Sequence, residues 1–395
     1  MRKLAWLLLA GLAVPAFAAS KQQEYKLVTV EQLEQVLAAA HGKSDSKVES
    51  QLSGLFLSQR LSAERLAQIE AELPGPASRR ALTVICDEAE FLRLPARDLP
   101  QDAPPDKSTQ DSVLELIAKY VNQTTHELPN FLATRETSHF ETPLWRLPAI
   151  PQQAITHRPL SFMETSNVKV FYRDGKEFQE RGNGKIVKDN PSQAKMETNG
   201  EFGPILATVI GDAFRGKVIW DRWEQGPSGR VAVFLYYVPR EASHFSVYSG
   251  KVQKFPAYHG VISANPVDGS ILRISVLAIP DPSDENVRAD LLVEYGPVEI
   301  GQRSYICPLK SVAIAVVRTL GKPTNTDLGA YIGDSGPVYS IPFRMRVNDT
   351  RFTNYHVFRA ETRLLTGDDA GAEPASPAPN PEGVPATEPA KAPKP

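Results

Sequence analysis

From residue 25 to about 128 the apolar positions recur at helical spacing. Thr29 followed by Gln32 is a capping box, Val30, Leu33, Val36, Leu37 and Ala40 then share one face, and Gly42 is a natural stop. A short second helix is predicted from about Asp45 to Leu52. A third begins near Ser62, carries Leu66, Ile69 and Leu73, and ends at Pro74-Gly75. A fourth covers about Ser78 to Phe91. A proline-rich stretch (Pro95, Pro100, Pro104, Pro105) precedes a longer helix, about Asp106 to Thr125, with Val113, Leu116, Ile117, Tyr120 and Val121 on one face. Short amphipathic helices must cover one another's stripes, so residues 25–128 are expected to form a small helical bundle.

At Pro129 the period drops to two. Asn130–Glu141, Asn167–Arg173, Lys217–Glu224 and Arg230–Val238 alternate as half-buried strands do. Further strands are predicted at about Ser246–Lys254, Tyr258–Ala264, Ser270–Leu277, Ala289–Ile300, Arg303–Val317, Phe343–Val347 and Thr353–Leu364. Asp174-Gly175 and Asp268-Gly269 are hairpin turns, because both pairs tolerate positive φ. One helix interrupts the strands, from Phe202 to Phe214, opened by Gly203-Pro204 and closed by Gly216. Consecutive hairpins imply antiparallel neighbours. The expected fold class is therefore α+β. An N-terminal helical bundle is followed, over 129–365, by one large antiparallel sheet curved into a half-open barrel, with a helix across its concave face. Residues 366–395, rich in Ala, Pro and Glu, have no apolar pattern and read as a disordered tail.

The first residues change the compartment. Arg2 and Lys3 precede an apolar run from Leu4 to Val14, and Ala16-Phe17-Ala18 presents small residues at the positions a signal peptidase reads. This is a secretory signal peptide with cleavage expected after Ala18, so a periplasmic or secreted location is predicted. The run is too short to span a bilayer, and no membrane span is expected in the mature chain.

The net charge is −2, and the leader and tail leave a body close to neutral. A neutral body argues against nucleic acid as a partner, since that needs a concentrated basic surface. The chain has two cysteines, Cys86 and Cys307. In an exported protein they form either one disulfide or two small buried thiols.

Motif chemistry is sparse. No Gly-x-Ser-x-Gly elbow is present, and Ser335, in Gly333-Asp334-Ser335-Gly336, lacks the flanking residues of a protease nucleophile. None of the seven histidines falls in a metal-ligand spacing, no phosphate loop occurs, and neither metal nor cofactor is expected. The candidate ligand-binding residues lie on the strands. Alternation places Trp220 and Trp223 on opposite faces of one strand, so one enters the core. Tyr236 and Tyr237 divide in the same way. His139 and Glu141 share a strand face, and His259 precedes Gly260 within a strand, its ring in solvent or packed on Tyr258.

Two resemblances follow from particular blocks. YHGVISANPVDGSILRI (258–274), YGPVEIGQRSYICPLKSVAI (295–314), LPNFLATRETSHFE (128–141) and VEQLEQVLAAAHGKSD near the leader resemble a family of exported acidobacterial proteins that carries no assigned mechanism. The start at Asn130–Arg135, the Val-Phe-Tyr-Arg-Asp-Gly hairpin at 170–175 and the Asn-Pro-Val-Asp-Gly turn at 265–269 are similar in topology to the periplasmic lipoprotein-carrier and sigma-regulator superfamily (LolA, LolB and RseB). That likeness implies a half-open barrel that holds acyl chains or sits against a partner. The helical N-terminal module is additional to it. The expected function is a cell-envelope binding protein for a lipid, lipoprotein or hydrophobic peptide. The alternative is a ligand-free module that docks an envelope protein, and a hydrolase comes third.

Overall fold

The computed structural model describes residues 26–143, 145–146, 160–180, 186–188, 196–249, 252–318, 332–333, 336–337 and 342–357, all within one compact unit. The leader, the tail and Ser335 lie outside the described residues.

The N-terminal part comprises β1 (Lys26–Val28), α1 (Val30–Ala38), α2 (Asp45–Leu52), β2 (Leu55–Leu57), α3 (Ala63–Glu72) and α4 (Pro76–Ala89). The capping box forms in both directions: Gln32 N donates to Thr29 Oγ1 at 3.3 Å, and Thr29 N to Gln32 Oε1 at 3.0 Å. Ser62 caps α3 by accepting from Arg65 N. Val28, Leu33, Leu52, Leu57, Leu82, Ile85 and Cys86 share one core. The parallel pairing of β1 with β2 is an addition to the helical pattern. Leu55, Phe56 and Leu57 are all buried, and a short, uniformly apolar run has no period to read.

The longest helix, α5 (Lys107–Glu127), is capped by Asp106, whose carboxylate accepts from Thr109 N at 2.7 Å. It does not join the core of α1–α4. Val113, Ile117 and Val121 pack instead with the helix of the β region and one face of the large sheet.

That region runs β3 (Phe131–Glu141), β4 (Trp145–Arg146), β5 (Ser161–Arg173), β6 (Lys176–Glu180), β7 (Ile186–Lys188), α6 (Pro204–Arg215), β8 (Lys217–Gly226) and β9 (Gly229–Val238). It continues with β10 (Val247–Ser249), β11 (Val252–Lys254), β12 (Ala257–Ala264), β13 (Ile271–Ile279), β14 (Asn286–Ile300) and β15 (Arg303–Arg318), and then β16 (Ile332–Gly333), β17 (Gly336–Pro337) and β18 (Pro342–Val357). Twelve of these strands form one open, curved, antiparallel sheet in the order β7-β6-β5-β3-β18-β15-β14-β13-β12-β9-β8, with β4 also paired to β18. The pairs β10–β11 and β16–β17 stand apart.

The topology explains the helix. The chain leaves β3 toward the β7 edge, yet β8 lies at the opposite edge. The connection must cross a face of the sheet, and α6 lies in that crossing. Ile205, Leu206, Val209, Ile210 and Ala213 are buried against Phe234, Tyr236, Tyr258, Ile274 and Val293. Each such aliphatic side chain contributes on the order of 1.5–3 kcal/mol on full burial. α6 and α5 thus occupy the concave face. On the other face, Val84 of α4 packs with Phe140, Leu292, Val312, Ile314 and Val347.

Local chemistry fixes the turns. Asp174 and Gly175 have φ of 51° and 75°, as a tight hairpin requires. Gly269 has φ 74°, and a Cβ there would lie 2.3 Å from the Leu116 backbone of α5. The two strands expected at Phe343–Val347 and Thr353–Leu364 are a single strand as far as Val357, and the rest of the second lies outside the described residues. The intervening Asn348-Asp349-Thr350 looks like a break only because it is polar; Thr350 Oγ1 meets Thr137 Oγ1 at 3.1 Å across the ladder.

Cys86 and Cys307 are free, buried thiols in different cores, the second of the two arrangements expected for them. Cys86 belongs to the α1–α4 cluster, whereas Cys307 packs with Phe131, Tyr172, Phe202 and Tyr355. Among the described residues no helix is long and apolar enough to cross a membrane.

Candidate functional site

A cavity of about 490 Å³ opens on the concave face beyond the end of α6. Its floor is the alternate residues Ala289 and Leu291 of β14 and Ala313, Ala315 and Val317 of β15. Small residues at three of these positions leave the space empty. Ile205 and Thr208 of α6 form one wall, Met196–Gly200 the next, and His244–Tyr248 the third.

Two polar groups stand out on this lining. The first is His244. Asp212 of α6 is wholly buried and accepts four hydrogen bonds: from Tyr258 Oη at 2.8 Å, His244 N at 2.7 Å, His244 Nδ1 at 2.7 Å and Arg215 Nη2 at 3.0 Å. Burial alone would push its carboxyl up; the bonds from His244, Tyr258 and Arg215 outweigh that and hold it below the ordinary carboxylate range. An ionised Asp212 can only accept, so Nδ1 of His244 carries the proton toward it. Nε2 then has no partner among the described residues.

The second group is Arg346 of β18. Its Nε donates to Glu141 Oε2 at 3.0 Å, and Arg344 Nη1 reaches the other oxygen of the same carboxylate at 2.5 Å. Two guanidinium groups on one carboxylate leave a net positive cluster at this end of the cavity. The terminal nitrogens of Arg346 are without a partner among the described residues.

Beside the cavity lies a buried acid pair. Arg135 Nη2 stands 3.4 Å from Glu177 and 3.2 Å from Glu201, and Glu177 also accepts from Gly200 N and Phe202 N. Burial, with Glu201 beside it, pushes the Glu177 carboxyl up to about 7. These bonds hold the Gly200 end of the cavity wall in place. Their role is architectural.

The residues expected from sequence fall mostly elsewhere. Trp220 and Trp223 share a face, which corrects the alternation: a β-bulge at Asp221 shifts the register, and the two rings meet edge to face at 4.7 Å. Both pack on the concave core, and Trp223 Nε1 donates to Ala103 O. Tyr236 is buried, its hydroxyl donating to Ser275 O at 2.7 Å, while Tyr237 is exposed, as alternation predicts. These aromatic rings fill the β8–β9 end of the concave face and do not line the cavity.

His139 lies one step from the cavity. Its Nδ1 meets Asn348 Oδ1 at 2.9 Å and its Nε2 meets Ser166 Oγ at 3.0 Å, and Asn348 Nδ2 donates to Met196 O on the cavity wall. His259 is exposed on the opposite face, since its neighbour Tyr258 points to α6. Among the described residues, no group of three His, Cys, Asp or Glu side chains is placed to hold a metal ion.

Sequence reasoning did not select His244, Arg346 or Asp212. One local signal existed: Asp212 falls on the buried stripe of α6 with Val209 and Ala213, and a carboxylate on an apolar stripe requires partners. No comparable signal marks Arg346, whose position depends on β18 lying beside β15. No family model matches this chain, and no curated protein matches it.

Proposed function

We propose that this is a binding protein of the cell envelope that holds an amphipathic ligand, chiefly a lipid tail or the apolar part of a lipoprotein or peptide, in the concave cavity. The observation that carries the reading is the volume of about 490 Å³ over a floor of alanine and branched aliphatic residues. Small-molecule sites are typically concave, mainly apolar and equipped with a few polar groups, in the range of roughly 300–1,000 Å³. The predicted leader supports an envelope location. A ligand-free docking module would be favoured by a side-chain-filled trough; that description fits the β8–β9 end and not the β15–β18 end.

The test is uptake of a fluorescent fatty acid by the purified chain, together with native mass spectrometry of freshly isolated protein. Ala315→Trp should fill the cavity and weaken uptake about tenfold or more, corresponding to roughly 1.4 kcal/mol. Clean apo protein that takes up no fatty acid would overturn the reading.

A further inference from the structure

We infer that the ligand of this cavity carries an acidic head group, a carboxylate or its protonated form, and that His244 takes up a proton as the head group binds. This rests on the binding function proposed above and adds the chemistry of its polar end.

Most of the carboxylate, imidazole and guanidinium groups on the lining are already spent on partners. Asp290 is paired with Arg288 at 2.5 Å. Glu197 and Glu285 are each already engaged in an interaction of their own. Of these groups, the Nε2 of His244 and the terminal nitrogens of Arg346 remain. Arg346 only donates, and His244 Nε2 accepts when neutral and donates when protonated. A carboxylic acid suits both: as an acid it donates to Nε2, and as a carboxylate it accepts from the imidazolium and the guanidinium. A cationic head group would meet the Arg346 guanidinium, while the acids of the lining are already engaged.

The surroundings of His244 fix the orientation of its ring. Asp212 holds Nδ1–H at 2.7 Å from below and carries one negative charge, already shared with Arg215 at 3.0 Å. Tyr258 donates to the same carboxylate, and Tyr236 beside it is committed to Ser275 O, so neither hydroxyl competes for the ring. Across the cavity the charged residues facing His244 are Glu197, Glu285 and Arg346. A buried carboxylate on one ring nitrogen fixes the tautomer and leaves Nε2 to meet the ligand. The bound proton then resides between His244 and the ligand.

The consequence is a linkage. Where the free ligand is ionised and the free ring neutral, binding takes up one proton, and affinity falls about tenfold per pH unit as pH rises. The experiment compares a fluorescent fatty acid with the fatty alcohol of the same chain, on the full chain, between about pH 5.5 and 8.5, a range centred on imidazole titration. The acid should bind more tightly at low pH, and the alcohol should bind equally at all pH values. His244→Gln should flatten the acid's pH profile and weaken it about tenfold at the acidic end, while leaving alcohol binding within about twofold. Arg346→Gln should weaken the acid at all pH values.

Equal, pH-independent binding of acid and alcohol would overturn the head-group assignment and leave the cavity reading intact. A pH profile retained in His244→Gln would overturn the role of His244. Failure of both probes to bind would overturn the cavity reading, and this inference with it.

Discussion

Lys310 of β15 places its ammonium 2.7 Å from the wholly buried carboxylate of Asp87 on α4. Glu90 and Asp349 approach the same nitrogen at 3.8 and 3.9 Å, and Arg273 Nη2 meets Glu90 at 2.7 Å. This polar knot joins α4 to the outer face of the sheet. Burial would push the Lys310 ammonium down, but the three carboxylates outweigh it and hold Lys310 firmly protonated. Burial pushes the Asp87 carboxyl up, with Asp349 and Glu90 adding to it against the pull of Lys310.

Removing the cation should be costly. Lys310→Met leaves buried carboxylates without compensation, and the expected loss is about 3–5 kcal/mol. Combining it with Asp87→Leu should recover at least half of that loss, because a buried pair replaced by apolar groups is often neutral. Urea denaturation of the two single variants and the double variant measures this. A small loss in Lys310→Met would mean that α4 is held by its apolar contacts alone.

The share of stability held by two raised carboxyls should fall as pH rises from about 4.5 to about 7. Burial pushes the Glu88 carboxyl from 4.5 up to about 7, against the weaker pull of Arg288. Glu177 is raised to about 7 as well. A carboxyl raised in the folded state binds its proton more tightly there than in the unfolded chain. Its contribution is therefore complete below about pH 4.5, is lost as pH rises through about 7, and is level above that. The slope is at most about 1.4 kcal/mol per pH unit for each group. Denaturation midpoints at about pH 5 and 7.5 read this window, and Glu88→Gln should remove its share of the slope. An unchanged slope in that variant would refute the assignment.

Thiol chemistry tests the two cysteines. Both are buried, and burial pushes the Cys307 thiol up to about 12 and that of Cys86 well above its ordinary value. A protonated, inaccessible thiol is unreactive. The native chain should react with a thiol reagent slowly at both positions, and the urea-unfolded chain should release two equivalents without reductant. Recovery of no free thiol after unfolding would establish the bridge that the separate cores argue against.

Much of the fold was legible because it depends on local periodicity. Thr29, Ser62 and Asp106 marked helix starts, the change of period at Pro129 marked the sheet, and Asp174-Gly175 marked a hairpin. The parts that were not legible involve residues that meet only through the third dimension. The bulge at Asp221 put Trp220 and Trp223 on one face although their spacing assigns them to two. A single extra residue inverts every later side chain, and periodicity cannot register it.

The sequence by itself determined the class: helices first, then hairpins that pair antiparallel, because hydrogen bonds and apolar stripes repeat at short range. Tertiary structure decided the site. α6 had to cross the concave face because β7 and β8 lie at opposite edges, and that crossing buried Asp212 where it could orient His244. The pairing of β18 with β15 and β3 set Arg346 across the same cavity. Those encounters join residues 32 positions apart at Asp212 and His244 and 205 apart at Arg346 and Glu141, and only the strand order of the whole sheet fixes them.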